Sequence, residues 1–130
     1  MHVDIKASKD RENYFTVTPF GPIDSDTYTE FNEKITPLLN ESTQGIILDL
    51  ANVDYISSAG LGVFFITRKF LKENNGDLLF CNIKPQIRRL FEIVKALPKE
   101  ILFENPEEAD AYLYRMMQKE MEKDKNSSGQ

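Results

Sequence analysis

The chain begins with two stretches in which apolar and polar positions alternate, "HVDIKAS" (2–8) and "YFTVTPF" (14–20), separated by the polar run "KDREN". A period of two predicts two strands joined by a turn, a hairpin in sequence terms. Gly21-Pro22 closes the second strand. Asp24 or Ser25 then offers an N-cap for a helix whose Tyr28, Phe31, Ile35 and Leu38 fall on one side, with a kink or early stop at Pro37. "GIILDL" (45–50) is a continuous apolar run of the kind that forms a strand covered on both faces. Residues 59–73 read as a helix stopped by Asn74-Asn75-Gly76, and "DLLFCNI" as the next strand. Pro85 opens a third helix carrying Ile87, Leu90, Phe91 and Val94, and "EILF" predicts a short last strand. Asn105-Pro106 is a cap and first-turn pair for a fourth helix with Ala109, Leu113, Met116 and Met117 along one face. The polar end of the chain, residues 121–130 with its "KDKNSSGQ", reads as a disordered tail after a single domain spanning 1–120.

An opening hairpin followed by strand–helix alternation predicts an α/β fold. Its sheet is small and mixed, with about five strands and about four helices, and parallel strands joined by right-handed crossovers. Composition narrows the class. The 130 residues are 41% hydrophobic with nine Phe and five Tyr, enough to fill one core. The formal charge of −5 argues against a direct nucleic-acid or anionic-membrane partner, since both select basic surface. No run reaches the ~18 apolar residues of a membrane span, and "MHVDIKASKDREN" is not a signal peptide, so a cytoplasmic protein is expected. One cysteine, Cys81, and one histidine, His2, leave little with which to build a metal site, and neither metal nor cofactor is expected.

Chemistry concentrates at "VDYISSAGLGVFF" (53–65), where two hydroxyls sit between a strand and a helix. That loop is the usual functional position in parallel α/β sheets. A phosphate loop needs a Lys after its glycines, and none follows Gly62; a hydrolase elbow needs Gly where Ile56 stands. The plain alternative is that Ser57 or Ser58 only caps the helix. At about 100° per residue, Ser58, Leu61, Phe65, Arg68, Lys69 and Lys72 share one side, with Val63, Ile66 and Phe70 opposite. The charges mark the first side as outward, which predicts an exposed patch of Leu61 and Phe65 beside Ser58, unless another element covers them. A phosphate on such a serine is favoured by the helix N-terminus and disfavoured in a partly apolar interface, the requirements of an off switch.

"GPIDSDTYTEF", "IILDLANVDYISSAGLGVF" and "LLFCNIKPQIRRLFEIVKAL" occur in this order, and with them the chain resembles the STAS domains, specifically the bacterial anti-sigma factor antagonists, over roughly residues 3–118. The family string is Asp-Ser-Ser/Thr-Gly-Leu-Gly. Placed on Gly60-Leu61-Gly62, it sets the phosphoacceptor on Ser58, with Ser57 in place of the family Asp as an alternative acceptor, and Ala59 after it. The resemblance sets Asp24 at an acidic position near the kinase-docking surface; with the patch of Leu61 and Phe65 from the helix phase, the expected partner-binding residues are Asp24, Ser57, Gly60, Leu61, Phe65 and Arg68. It also implies partner switching: the unphosphorylated protein binds an anti-sigma factor with serine kinase activity, phosphorylation releases it, and a metal-dependent serine phosphatase resets the cycle. The protein would then be no enzyme, and a monomer when free. Two rival readings are a STAS module of another assembly, such as a stressosome or a transporter, and a small-molecule or nucleotide-binding domain.

Overall fold

The computed structural model describes residues 1–9, 11–95, 98 and 101–128. Its elements follow the order expected: β1 (His2–Ala7), β2 (Tyr14–Phe20), α1 (Tyr28–Ile35), β3 (Gly45–Asp49), α2 (Ser58–Glu73), β4 (Asp77–Cys81), α3 (Pro85–Val94), β5 (Leu102–Phe103) and α4 (Pro106–Ser128). The five strands form one sheet in the order β1-β2-β3-β4-β5. The β1–β2 pair is antiparallel, with Ile5 opposite Val17, and the other three pairs are parallel.

Local chemistry explains the boundaries. Gly21 ends β2 at φ 95°, a value that side chains rarely tolerate. Pro37 stops α1 at Ile35, and Thr36–Leu38 tightens into a 3₁₀ turn. Pro19 lies inside β2 but beyond the stretch paired with β3, which ends at Val17–Leu48, so its missing N–H breaks no ladder bond there. At the end of α2, Asn75 takes φ 64° while the Gly76 N–H donates to the Leu71 carbonyl at 2.7 Å.

Alternation along the strands gives the sheet two different faces. Leu48 and Phe80 are paired neighbours, and Phe80 packs with Phe64 of α2 and Phe91 of α3 at ring separations of 5.2 and 5.3 Å; Phe31 of α1 meets Phe64 at 5.8 Å. This aromatic cluster is the centre of the core. The other face carries Gly45, where a Cβ would lie 3.5 Å from Leu113 of α4. Ala109 and Leu113 bury α4 there, and Arg11 ties it down by pairing with Asp110 at 2.7 Å while stacking over Tyr14 and Tyr114.

The tail differs from expectation. The backbone of α4 is helical to Ser128, through residues expected to be disordered. The stretch "MQKEMEKDK" is polar but rich in residues of high intrinsic helix propensity. Polarity alone does not separate a solvated helix from a coil. The side chains of Met116 and Met117, expected on the inner face of α4, lie outside the described residues, as do Glu100 of "EILF" and Gly129-Gln130.

Candidate functional site

Two loops at the carboxyl edge of the sheet are laced together. Gly21 N–H donates to the Asn52 carbonyl at 2.9 Å, Ile23 N–H to Tyr55 at 2.9 Å, and Ser57 N–H to Ile23 at 2.8 Å. A short parallel bridge joins Ile23 to Ile56, and both side chains are buried with Leu50 and Val53. Ile23, the residue before Asp24, is thereby bonded directly to Ser57.

The serines have separate jobs. Ser57 is the N-cap of α2, with extended backbone (φ −84°, ψ 172°) and its Oγ accepting the Gly60 N–H at 3.2 Å. Ser58 is the first helical residue. Its side chain is exposed, and its hydroxyl makes no hydrogen bond to any described residue. The capping that sequence alone assigns to either serine therefore falls to Ser57, which leaves Ser58 uncommitted.

Asp24 was expected to be an N-cap or a partner contact, and the structure places it one turn ahead of α1, whose cap position is Thr27. Its Oδ1 accepts the N–H of Asp26 at 2.9 Å and of Thr27 at 3.0 Å. The Asp26 contact is the largest of the effects holding this carboxyl below its ordinary pKa, against some desolvation. Thr27 replies by accepting the Asp24 N–H at 2.9 Å and donating to the Pro22 carbonyl at 2.7 Å.

The expected helix phase is corrected. Leu61 is only 5% exposed, whereas Ile66, expected in the core, is 68% exposed. Phe65 and Phe70 are both half-buried, on opposite flanks. Phe64 and Leu71, both fully buried, set the inner face between Leu61 and Val63 and turn Ile66 to the outside. Arg68 misled the phase as a charge: its Nε lies 3.1 Å from Asp77 Oδ1, so it is folded against the start of β4. The outward stripe runs Ser58, Gly62, Ile66, Lys69, flanked by Phe65. Sequence reasoning missed Gly62 and Ile66; including Phe64 and Leu71 in the helical count is the signal that finds them.

Gly60 belongs to the inner side. A Cβ on it would lie 2.8 Å from both the carbonyl oxygen and the Cγ2 of Ile23, so its absence lets the first turn of α2 seat on the laced loops. Elsewhere, burial pushes the Cys81 thiol up to about 12, which keeps it protonated and unreactive. No helix among the described residues is long and apolar enough to cross a membrane.

A mixed five-stranded sheet whose third strand leads into a capped helix with an exposed serine defines a class, and comparison with known proteins gives it a family. The STAS domain family model matches residues 6–109, and the chain belongs to that family. The anti-sigma-B factor antagonist of Staphylococcus aureus (strain NCTC 8325 / PS 47) is 34% identical over 93 residues, covering 72% of this chain and 85% of that protein. Among solved structures, the anti-sigma factor antagonist SpoIIAA in its unphosphorylated form superposes with a TM-score of 0.67 at 17% identity, over 88% of this chain and 98% of that one. Its phosphorylated form, described as a Bacillus cell fate determinant, gives 0.65 at 17% identity over 85% and 99%. The murine anion transporter Slc26a9 also contains this fold, with a TM-score of 0.67 at 17% identity over 81% of this chain and 18% of that one.

Proposed function

We propose that this protein is an anti-sigma factor antagonist controlled by phosphorylation of Ser58. Unphosphorylated, it binds an anti-sigma factor that is also a serine kinase; phosphorylated, it lets go, and a metal-dependent serine phosphatase restores it. It acts in the cytoplasm as substrate and binding module rather than as an enzyme. The observation that carries the reading is the division of labour at the start of α2, where Ser57 caps and Ser58 stands exposed on the side of the helix that shows Ile66 two turns further on. The antagonist named for the S. aureus relative and the two phosphorylation states known for SpoIIAA support it.

The chemistry follows from position. The Ser58 oxygen attacks the γ-phosphorus of ATP on the kinase, ADP departs, and the hydroxyl proton passes to a base of the kinase. Gly60 and Leu61 N–H groups are already taken by Ser57 Oγ and Ser57 O, so those of Ser58 and Ala59 face the new phosphate at the positive end of the helix. The same charge is unwelcome in an interface built on Phe65, Ile66 and bare Gly62. Asp24 and Phe65 touch the partner directly in this reading, whereas Ser57, Gly60, Leu61 and Arg68 hold the helix in place for it.

Incubation with the kinase and ATP followed by peptide mass spectrometry should find phosphate on Ser58. Calorimetric titration should then show partner affinity lower by roughly 30- to 1000-fold for the phosphorylated protein, the effect of about 2–4 kcal/mol for a poorly compensated charge. Phosphate only on Ser57, or equal affinity of the two forms, overturns the assignment.

A further inference from the structure

β1 is the first strand of the sheet, so one of its edges has no strand beside it among the described residues, and Asp4, Ile5, Lys6 and Ala7 along it are exposed. Its register with β2 fixes which main-chain groups that edge presents. Ser8 N–H donates to the Tyr14 carbonyl at 2.8 Å, which makes Ser8–Tyr14 a bonded pair of the antiparallel ladder. Bonded and non-bonded pairs alternate, so Lys6, Asp4 and His2 turn their N–H and C=O groups to Thr16, Thr18 and Phe20. Those of Val3, Ile5 and Ala7 point to the open edge.

We propose that this edge pairs with the same edge of a second copy, antiparallel and centred on Ile5, to join two sheets across a two-fold axis. In that register Ile5 meets the second Ile5 and Val3 meets the second Ala7, so every outward main-chain group from Val3 to Ala7 finds a partner. The side chains select the register. Centring on Ile5 sets Asp4 of each copy opposite Lys6 of the other, in the close non-bonded pairs where charge matters most. Sliding by two residues in one direction sets Asp4 against Asp4, and in the other Lys6 against Lys6. Asp4 is already held on its face of the strand, its Oδ1 2.9 Å from His2 Nε2. β2 separates β1 from β3 and the loop that leads to Ser58, so pairing here leaves the serine free. The free monomer implied by the family resemblance took no account of this edge.

Sedimentation equilibrium over a concentration series tests the pairing. The wild-type protein should self-associate, and Asp4→Lys and Lys6→Asp should each weaken association by at least about tenfold, since both cross-strand pairs become repulsive. Mixing the two variants should restore it, because every facing pair is then opposite in sign. Ile5→Pro, which removes an outward N–H and no bond to β2, should abolish association while keeping a cooperative melt. A wild-type protein monomeric up to about 1 mM overturns the proposal. So does association that survives the charge reversals, or a mixture that fails to restore it.

Discussion

Gly60 and Gly62 are two positions apart in α2, yet a methyl group on the first would lie 2.8 Å from the Ile23 carbonyl oxygen and one on the second would meet nothing within 4 Å. The same contrast separates Ser57 from Ser58 and Leu61 from Ile66. One side of the first turns of α2 is fitted against laced loops and an aromatic core. The other presents a hydroxyl, a bare stretch of backbone and an exposed isoleucine. In the proposed reading, the buried side of α2 packs the domain and the exposed side meets the partner, with half-buried Phe65 on the boundary between them. The inner set should respond to substitution in stability, the outer set in binding.

The largest contrast is expected between Leu61 and Ile66. Leu61→Ala should cost about 2–5 kcal/mol, as buried leucines do, and Ile66→Ala no more than about 0.5 kcal/mol. Urea denaturation measures both, and comparable losses would put the two residues on the same side of the boundary. Next come the glycines. Gly60→Ala should destabilise by about 1–3 kcal/mol, because the added methyl meets main-chain atoms that cannot swing away. Gly62→Ala should stabilise by up to about 1 kcal/mol through helix propensity, and any loss of partner affinity in that variant would mark the bare helix surface as a contact. The smallest contrast sharpens the assignment of the serines. Ser57→Ala should cost about 0.5–2 kcal/mol through the lost cap, and Ser58→Ala should melt like the wild type within about 0.5 kcal/mol. A Ser58→Ala variant as unstable as Ser57→Ala would mean that Ser58 also supports the helix.

Element type and order were legible in the sequence because their signals are local. Alternation marks β1 and β2, a short apolar run marks β3, and Pro37, Gly76, Pro85 and Asn105-Pro106 punctuate the rest with fixed backbone preferences. The position of the serines was equally local, since a strand followed by Ser-Ser and a helix places them at the carboxyl edge of the sheet. Which way α2 faces was not local. Leu61, Val63, Phe64, Phe65, Ile66, Phe70 and Leu71 put apolar side chains almost all the way round the helix, so several phases satisfy the pattern equally well. The choice falls to β3, β4 and the Phe31–Phe64–Phe80–Phe91 cluster, whose rings admit Phe64 and Leu71 and leave Ile66 outside. The role of each serine turned on a single residue of helix start, fixed by the hydrogen bond from Ser57 N–H to Ile23, a contact made across 34 positions of chain. The edge of β1 shows the same division: Asp4-Ile5-Lys6 is written in the chain, but only the assembled sheet leaves the edge away from β2 unpaired among the described residues and turns Ile5's main-chain groups toward it. Periodicity and turn chemistry act over a few residues and survive in any context. Facing and capping are settled by contacts between segments far apart in the chain, and no local pattern contains them.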